Sequence, residues 1–168
     1  MYQLKTGITS IFECELERAF KTPMLCDVSK IHTGYGLMPK VTDVTDDQNW
    51  GKPGFSKKVF VAPSFSQKGG WASNDTVLER VNNEYWKIRV DEFQAWMLSF
   101  KKFEGEWKTT ELSKNIILVE YYYTLYFDNI LFYPLTWLFT KLFWKKYMGK
   151  VLENVRILAY QKEPYIYE

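Results

Sequence analysis

The chain has 168 residues, one domain's length and enough to bury roughly 70% of the surface its unfolded form exposes. Apolar residues make up 46% and charged residues 25%, so the chain is not disordered, and a net charge of +2 is too small for a strongly basic nucleic-acid domain. Two cysteines exclude a disulfide scaffold, and the opening MYQLKTGITSIFECELERAF lacks the basic start, apolar core and cleavage site of a signal peptide, so a reduced, cytoplasmic protein is expected.

In chain order, LKTGITSIF (4–12) is apolar and β-branched enough for a first strand. ECELERAFKTPML follows, with Leu16, Ala19 and Phe20 at helical spacing, as a short amphipathic helix ended by Pro23. CDVSKIH gives a second short helix with Asp27 as N-cap, and Gly34 to Pro39 break structure. From Val41 to Phe127 the pattern is strands: VTDVTDD, FSKKVFVAP, WASNDTVLERV, EYWKIRVDEF, SFKKFEGEWKTTEL and NIILVEYYYTLYF. A GKPG turn, the loop SFSQKGG, Asn82-Asn83 and Ser113-Lys114 mark connections between them, and short connections favour an antiparallel meander. From Pro134 to about Gln161 runs one helix of about 27 residues, roughly 40 Å long. Residues 116–144 are hydrophobic, but Glu120, Asp128 and Asn129 interrupt them, so no membrane span is expected. No repeat, low-complexity tract or linker divides residues 1–168, which are expected to form a single domain.

Aromatic residues reach 18% (7 Trp, 12 Tyr and 12 Phe), and strand side chains alternate between faces. In EYWKIRVDEF the apolar parity is Trp86, Ile88 and Val90. In NIILVEYYYTLYF it includes Val119, Tyr121 and Tyr123. In the preceding strand Phe103 and Trp107 share a parity with Gly105, while Phe100 breaks the phase and points to a bulge. These sets should face inward. Buried Tyr hydroxyls and Trp N–H groups need partners, which suits an interior holding water or a ligand as well as one filled by rings.

Chemical constellations are sparse. His32, the only histidine, could couple with Cys14 or Cys26, but no signature surrounds either thiol, and metal-ligand spacing is absent. Asp91, Glu92, Glu104, Glu106 and Glu120 fall mostly on polar parities, which places them on a solvated outer face with Arg89 and Lys57 pairing there. The doublets Lys57-Lys58, Lys101-Lys102 and Lys145-Lys146 read as solubilising charges, and Gly69-Gly70 as a turn. No catalytic residue, metal or cofactor is expected.

The order of elements, with WGKPGFSKKVFV, TVLERVNNEYWKIRV and FEGEWKTTELSKNIILVEYYYTL, resembles the helix-grip proteins of the SRPBCC superfamily, which includes START-like domains and polyketide cyclases. The resemblance spans about Gly7 to Gln161. It implies an α+β fold in which a curved antiparallel sheet wraps around a long C-terminal helix, with two short helices after the first strand. It also implies a cavity between sheet and helix for an apolar or amphipathic small molecule such as a lipid, quinone or aromatic metabolite. Two other functions remain open: a cyclase- or hydratase-type enzyme using the same cavity, and a protein-interaction module with the cavity filled. A binding role, with no nucleic acid, is the expectation.

The C-terminal helix has one apolar face at 100° per residue: Met148, Val151, Leu152, Val155, Leu158 and Ala159. Extended backwards, that face reaches Trp137, Lys141 and Trp144, which together with Met148 should look into the cavity. The other side of the first half carries Leu135, Leu138, Phe139, Leu142 and Phe143, so it too needs cover. Packing against the short helices is the first explanation, a homodimer interface the second and transient contact with a membrane surface the third. Gly149 lies between the halves as a candidate bend.

Overall fold

The computed structural model describes residues 1–45, 47–65, 67–95 and 99–168. Asp46 and Ser66, within the segments read as VTDVTDD and SFSQKGG, lie outside them. The first strand, β1, is Tyr2–Phe12, and helices α1 (Leu16–Leu25) and α2 (Val28–Ile31) follow. Then come β2 (Val41–Val44), β3 (Ser56–Val61), β4 (Gly70–Val81), β5 (Tyr85–Asp91), β6 (Phe100–Ser113) and β7 (Ile116–Phe127). A 3-10 turn leads into a continuous helical run: α3 (Tyr133–Leu138), a π-helical segment (Phe139–Trp144) and α4 (Lys145–Tyr160).

The strands form one antiparallel sheet in the order β1-β7-β6-β5-β4-β3-β2. β1 joins the last strand, so the meander is closed along one edge by the chain's first segment. Register shifts break the ladders of β3 and β4, of β4 and β5, and of β6 at Phe100/Lys102, where the sequence phase also breaks. Such bulges bend a sheet and increase its twist. The concave face packs α1 and α4 over a core that includes Phe12, Phe20, Trp86, Leu125, Phe127, Met148 and Val155. This is the expected α+β architecture.

Pro23 lies inside α1 rather than ending it. Proline has no N–H, so the carbonyl of Ala19, four residues earlier, loses its helical donor. The indole of Trp107 supplies one instead, donating from Nε1 to Ala19 O at 3.0 Å. Trp86 donates to Phe20 O at 2.8 Å and Trp50 to Met24 O at 2.9 Å. Three buried indoles therefore tie α1 to the rest of the fold, and Trp86 also stacks on Phe20 at 4.9 Å. Asp27 caps α2, accepting from Ser29 N at 2.9 Å.

The helical run changes phase in the π segment, not at Gly149. Lys145 N–H donates to Thr140 O, five residues back. The wider turn spaces inward residues by four, so the buried positions before Trp144 are Thr140 and Thr136. Thr140 Oγ1 donates to Thr136 O at 2.8 Å, a back-bond that perturbs helices. Trp137 and Lys141, expected to face inward, are turned outward and exposed, Trp137 by 46%.

Candidate ligand-binding cavity

The described residues leave a larger and a smaller cavity between the sheet and the helices. The larger encloses about 130 Å³ and is bounded by β3, β4, β5 and β6 on one side and by Trp144 and Tyr147 on the other. The loop at Leu37, Met38 and Pro39, with Gln67 and Phe93, completes its wall. The smaller, about 60 Å³, lies under α1 and is lined by Met24, Trp86, Trp107 and Tyr121 among others. His32, Ile88 and Tyr123 line both and form the partition between them. Tyr123 lies close over β6 because Gly105 is there: a Cβ at Gly105 would come within 3.1 Å of the Tyr123 ring. The larger volume is close to that of an apolar protein cavity of about 150 Å³ that holds one benzene ring.

The larger cavity is apolar over most of its wall and polar at one end. Val41, Val59, Val61, Ile88, Val90 and Phe103 supply apolar surface. The register pairs Lys57 with Asp75 across β3 and β4, both on the inner face. Asp75 presents its surface to the cavity and is shielded from bulk water. Burial, only partly offset by Lys57 and by the Ser73 hydroxyl at 3.4 Å, raises its pKa to about 6. Lys57 is 3% exposed, and its ammonium lies 3.9 Å from the Trp50 ring centre. Burial, opposed by Asp75 and Asp27, lowers its pKa to about 8. His32 Nδ1 and the Tyr147 hydroxyl are 2.6 Å apart, and burial, with Lys57 nearby, lowers the histidine to about 4, so His32 is neutral at pH 7. Trp144 Nε1 is buried with no hydrogen-bond partner among the described residues. The Trp144 ring lines the cavity, but its nitrogen is not reached from it, so at neutral pH this end of the cavity offers a carboxylate acceptor, Asp75, beside Tyr123 and Tyr147, whose phenols burial keeps protonated.

The structure distributes the expected lining residues unevenly. Ile88, Val90, Phe103, Tyr123 and Trp144 line the larger cavity; Trp86, Ile88, Trp107, Tyr121 and Tyr123 line the smaller. Val119 and Met148 are fully buried in the packed core and reach neither. Trp137 and Lys141 are on the outer side of the helical run, for the reason given by the π segment. Lys57 also departs from expectation: it is inside, not paired on the outer face. Its parity with Val59 and Val61 carries that signal, as does the parity of Asp75 with Ser73 and Val77.

The outer face holds the other carboxylates. Asp91 pairs with Arg89 at 2.8 Å, Glu104 with Lys102 at 2.6 Å, Glu106 with Lys5 at 3.0 Å and Glu120 with Lys108 at 3.6 Å. The two thiols are free. Cys26 contacts Glu163 O at 3.6 Å, and burial pushes its pKa up to about 11, the opposite of an activated nucleophile. Among the described residues no cluster of three His, Cys, Asp or Glu side chains could hold a metal, and no helix is long and apolar enough to cross a membrane.

Sheet, long helix and intervening cavity together define the helix-grip fold. No family model and no curated protein matches the sequence. Solved structures do match the fold. The allergen Ara h 8.0201 superposes with a TM-score of 0.65 at 11% identity, over 95% of this chain and 99% of that one. Norcoclaurine synthase from Thalictrum flavum gives a TM-score of 0.68 at 8% identity, over 97% and 98%. A protein of unknown function from Staphylococcus aureus gives 0.66 at 14% identity, over 95% and 97%. At such identities the likeness shows the helix-grip fold alone and carries no site residue across.

Proposed function

We propose that the protein binds a small amphipathic molecule in the larger cavity: a single-ring or similarly compact apolar body with a hydrogen-bonding end. The observation that carries this reading is the polar end of an otherwise apolar cavity, where Asp75 faces inward beside Tyr123 and Tyr147. A carboxylate held away from bulk water gains from a donor brought to it. The ligand therefore presents a donor to Asp75 and its apolar body to the valines, Phe103 and the Trp144 ring. A long acyl chain does not fit about 130 Å³ and would have to project past Leu37 and Met38. The neighbours whose fold matches include norcoclaurine synthase in complex with dopamine and hydroxybenzaldehyde, a protein occupied by single-ring compounds. The test is NMR titration of the indole N–H signals with benzamide and, separately, with toluene. Benzamide should move the Trp144 signal and leave Trp107 in place, and Asp75→Asn should weaken its affinity at least several-fold. Failure of both compounds to bind would sink the reading.

Asp75 also favours a second reading, an enzyme using the same cavity. A carboxyl with a pKa of about 6 can accept and return a proton near neutrality. In D2O such a group would take a proton from an acidic C–H of a bound carbonyl compound and return a deuteron to the same carbon. Deuterium incorporation that Asp75→Asn abolishes would establish catalysis; binding without incorporation would leave a carrier.

A further inference from the structure

The outer face of α3, continued by the 3-10 turn before it and the π segment after it, is apolar, and no described residue covers it. Leu131 is 85% exposed and Leu142 57%, and Tyr133, Leu135, Trp137 and Leu138 are each between 40% and 47% exposed. The short helices, expected to cover this face, pack against α4 instead. Monomeric proteins seldom leave so many large apolar side chains together on one element without a use for them.

Charge distinguishes the candidate occupants. Every charged residue from Asn129 to Leu152 is a lysine: Lys141, Lys145, Lys146 and Lys150. All four are exposed. The preceding carboxylate, Asp128, is paired with Lys101 at 3.5 Å. A two-fold interface through this face would bring like lysines against like, with no carboxylate in the stretch to neutralise them. An anionic lipid surface supplies the missing negative charge. Leucines flanked by Trp137 and Tyr133 and bordered by lysines form the pattern of a helix lying in the membrane interface, with aromatic rings at headgroup depth.

We propose that the α3 face docks the protein on an anionic membrane surface. The helix lies along the bilayer with Leu131, Leu135, Leu138 and Leu142 in its apolar boundary and the lysines on the headgroups. The docked face adjoins the cavity entrance: Tyr35 packs on Phe143 at 5.7 Å, and the same loop continues into Leu37, Met38 and Pro39, which line the cavity. The proposal does not depend on what occupies the cavity.

The experiment is co-sedimentation of the full chain with vesicles of phosphatidylcholine alone and of equal parts phosphatidylcholine and phosphatidylserine. The protein should bind the anionic vesicles, and added salt should weaken the binding. Lys141→Gln with Lys145→Gln should reduce affinity about 25-fold, at about five-fold per lysine near an anionic surface. Leu138→Gln with Leu142→Gln should reduce it by more than about ten-fold. Ile157→Gln, an equally exposed apolar site on α4, should bind as the parent does. Should the leucine variant fail to fold, the lysine variant, which removes only exposed groups, still decides. Equal binding to both vesicle types, or no binding, overturns the proposal. A dimer in solution that Leu138→Gln with Leu142→Gln converts to monomer also overturns it and assigns the face to a second copy of the chain.

Discussion

The two ends of the interior solve the same problem in opposite ways. Under α1, the large amphipathic rings are satisfied within the protein: Trp50, Trp86 and Trp107 each donate to an α1 carbonyl, one of them replacing the donor that Pro23 lacks. Beneath β3, β4 and the start of α4, groups are left less complete: Trp144 Nε1 has no hydrogen-bond partner among the described residues, and Asp75, facing the cavity, has the charge of Lys57 and a long hydrogen bond from Ser73. Completed hydrogen bonds and close packing stabilise a fold, whereas incomplete ones in an open space cost stability and make a site. Stability should therefore be concentrated at the α1 end, and recognition at the other.

That contrast breaks if Trp107→Ala is mild. Loss of the ring and exposure of Ala19 O should cost about 3–5 kcal/mol in urea unfolding; a loss under about 1 kcal/mol would mean that the α1 end is not the stable one. Trp107→Phe removes chiefly the donor and should cost about 1–2 kcal/mol. Adding Pro23→Ala to it restores a helical N–H for Ala19 O and should recover part of the loss, a coupling that independent packing effects would not give.

At the other end the signature should be pH dependence. His32 has a folded pKa of about 4, below its ordinary 6.5, so its contribution is intact above pH 6.5 and lost as pH falls toward 4, by about 3 kcal/mol in full. His32→Gln, which can still hydrogen-bond Tyr147, should abolish that part of the pH dependence; an unchanged profile would show that the imidazole is not buried neutral. Asp75 has the reverse sign, because its folded pKa of about 6 lies above 3.8 and the cost of its charge grows as pH rises through that window. Lys57→Met removes the cation that offsets this cost. It should raise the Asp75 pKa above about 6, as read by NMR titration of the carboxyl, and the part of any stability change that comes from the carboxylate should appear only above about pH 6, because below it the carboxyl is neutral with or without the lysine. An unmoved Asp75 titration would mean that Lys57 matters only by its packing.

The α1 end was far easier to read in the sequence. Alternation in EYWKIRVDEF and NIILVEYYYTLYF marked Trp86, Ile88, Tyr121 and Tyr123 as inward because apolar and polar residues there separate cleanly by parity. β3 defeated the same rule. Its inward set is Lys57, Val59 and Val61, and a lysine reads as solvated unless its strand neighbours are weighed first. The carboxylate opposite it, Asp75, reads as solvated for the same reason. α4 was legible because an undisturbed helix keeps its phase, and Met148, Val151 and Val155 are buried as the 100° pattern requires. α3 was not, since a one-residue change in helical spacing leaves no mark in a hydrophobic pattern that is apolar all round.

The smallest expected effect tests where that change of phase occurs, and hence which side chains face the cavity. If the bend were at Gly149, the residue would be there to accept an unusual backbone or a close neighbour, and a side chain would be harmful. Gly149 is instead within α4, its φ is not positive, and a Cβ built on it meets nothing within 4 Å. Gly149→Ala should therefore stabilise the protein by up to about 1 kcal/mol, the gain in helix propensity. Deleting Leu142 from the π segment should do the opposite, because restoring regular helical spacing forces either Thr136 and Thr140 out of the interior or α3 to rotate about its axis. Thermal unfolding of the two variants compares them directly. A destabilising Gly149→Ala together with a neutral deletion would move the change of phase to Gly149 and return Trp137 and Lys141 to the cavity.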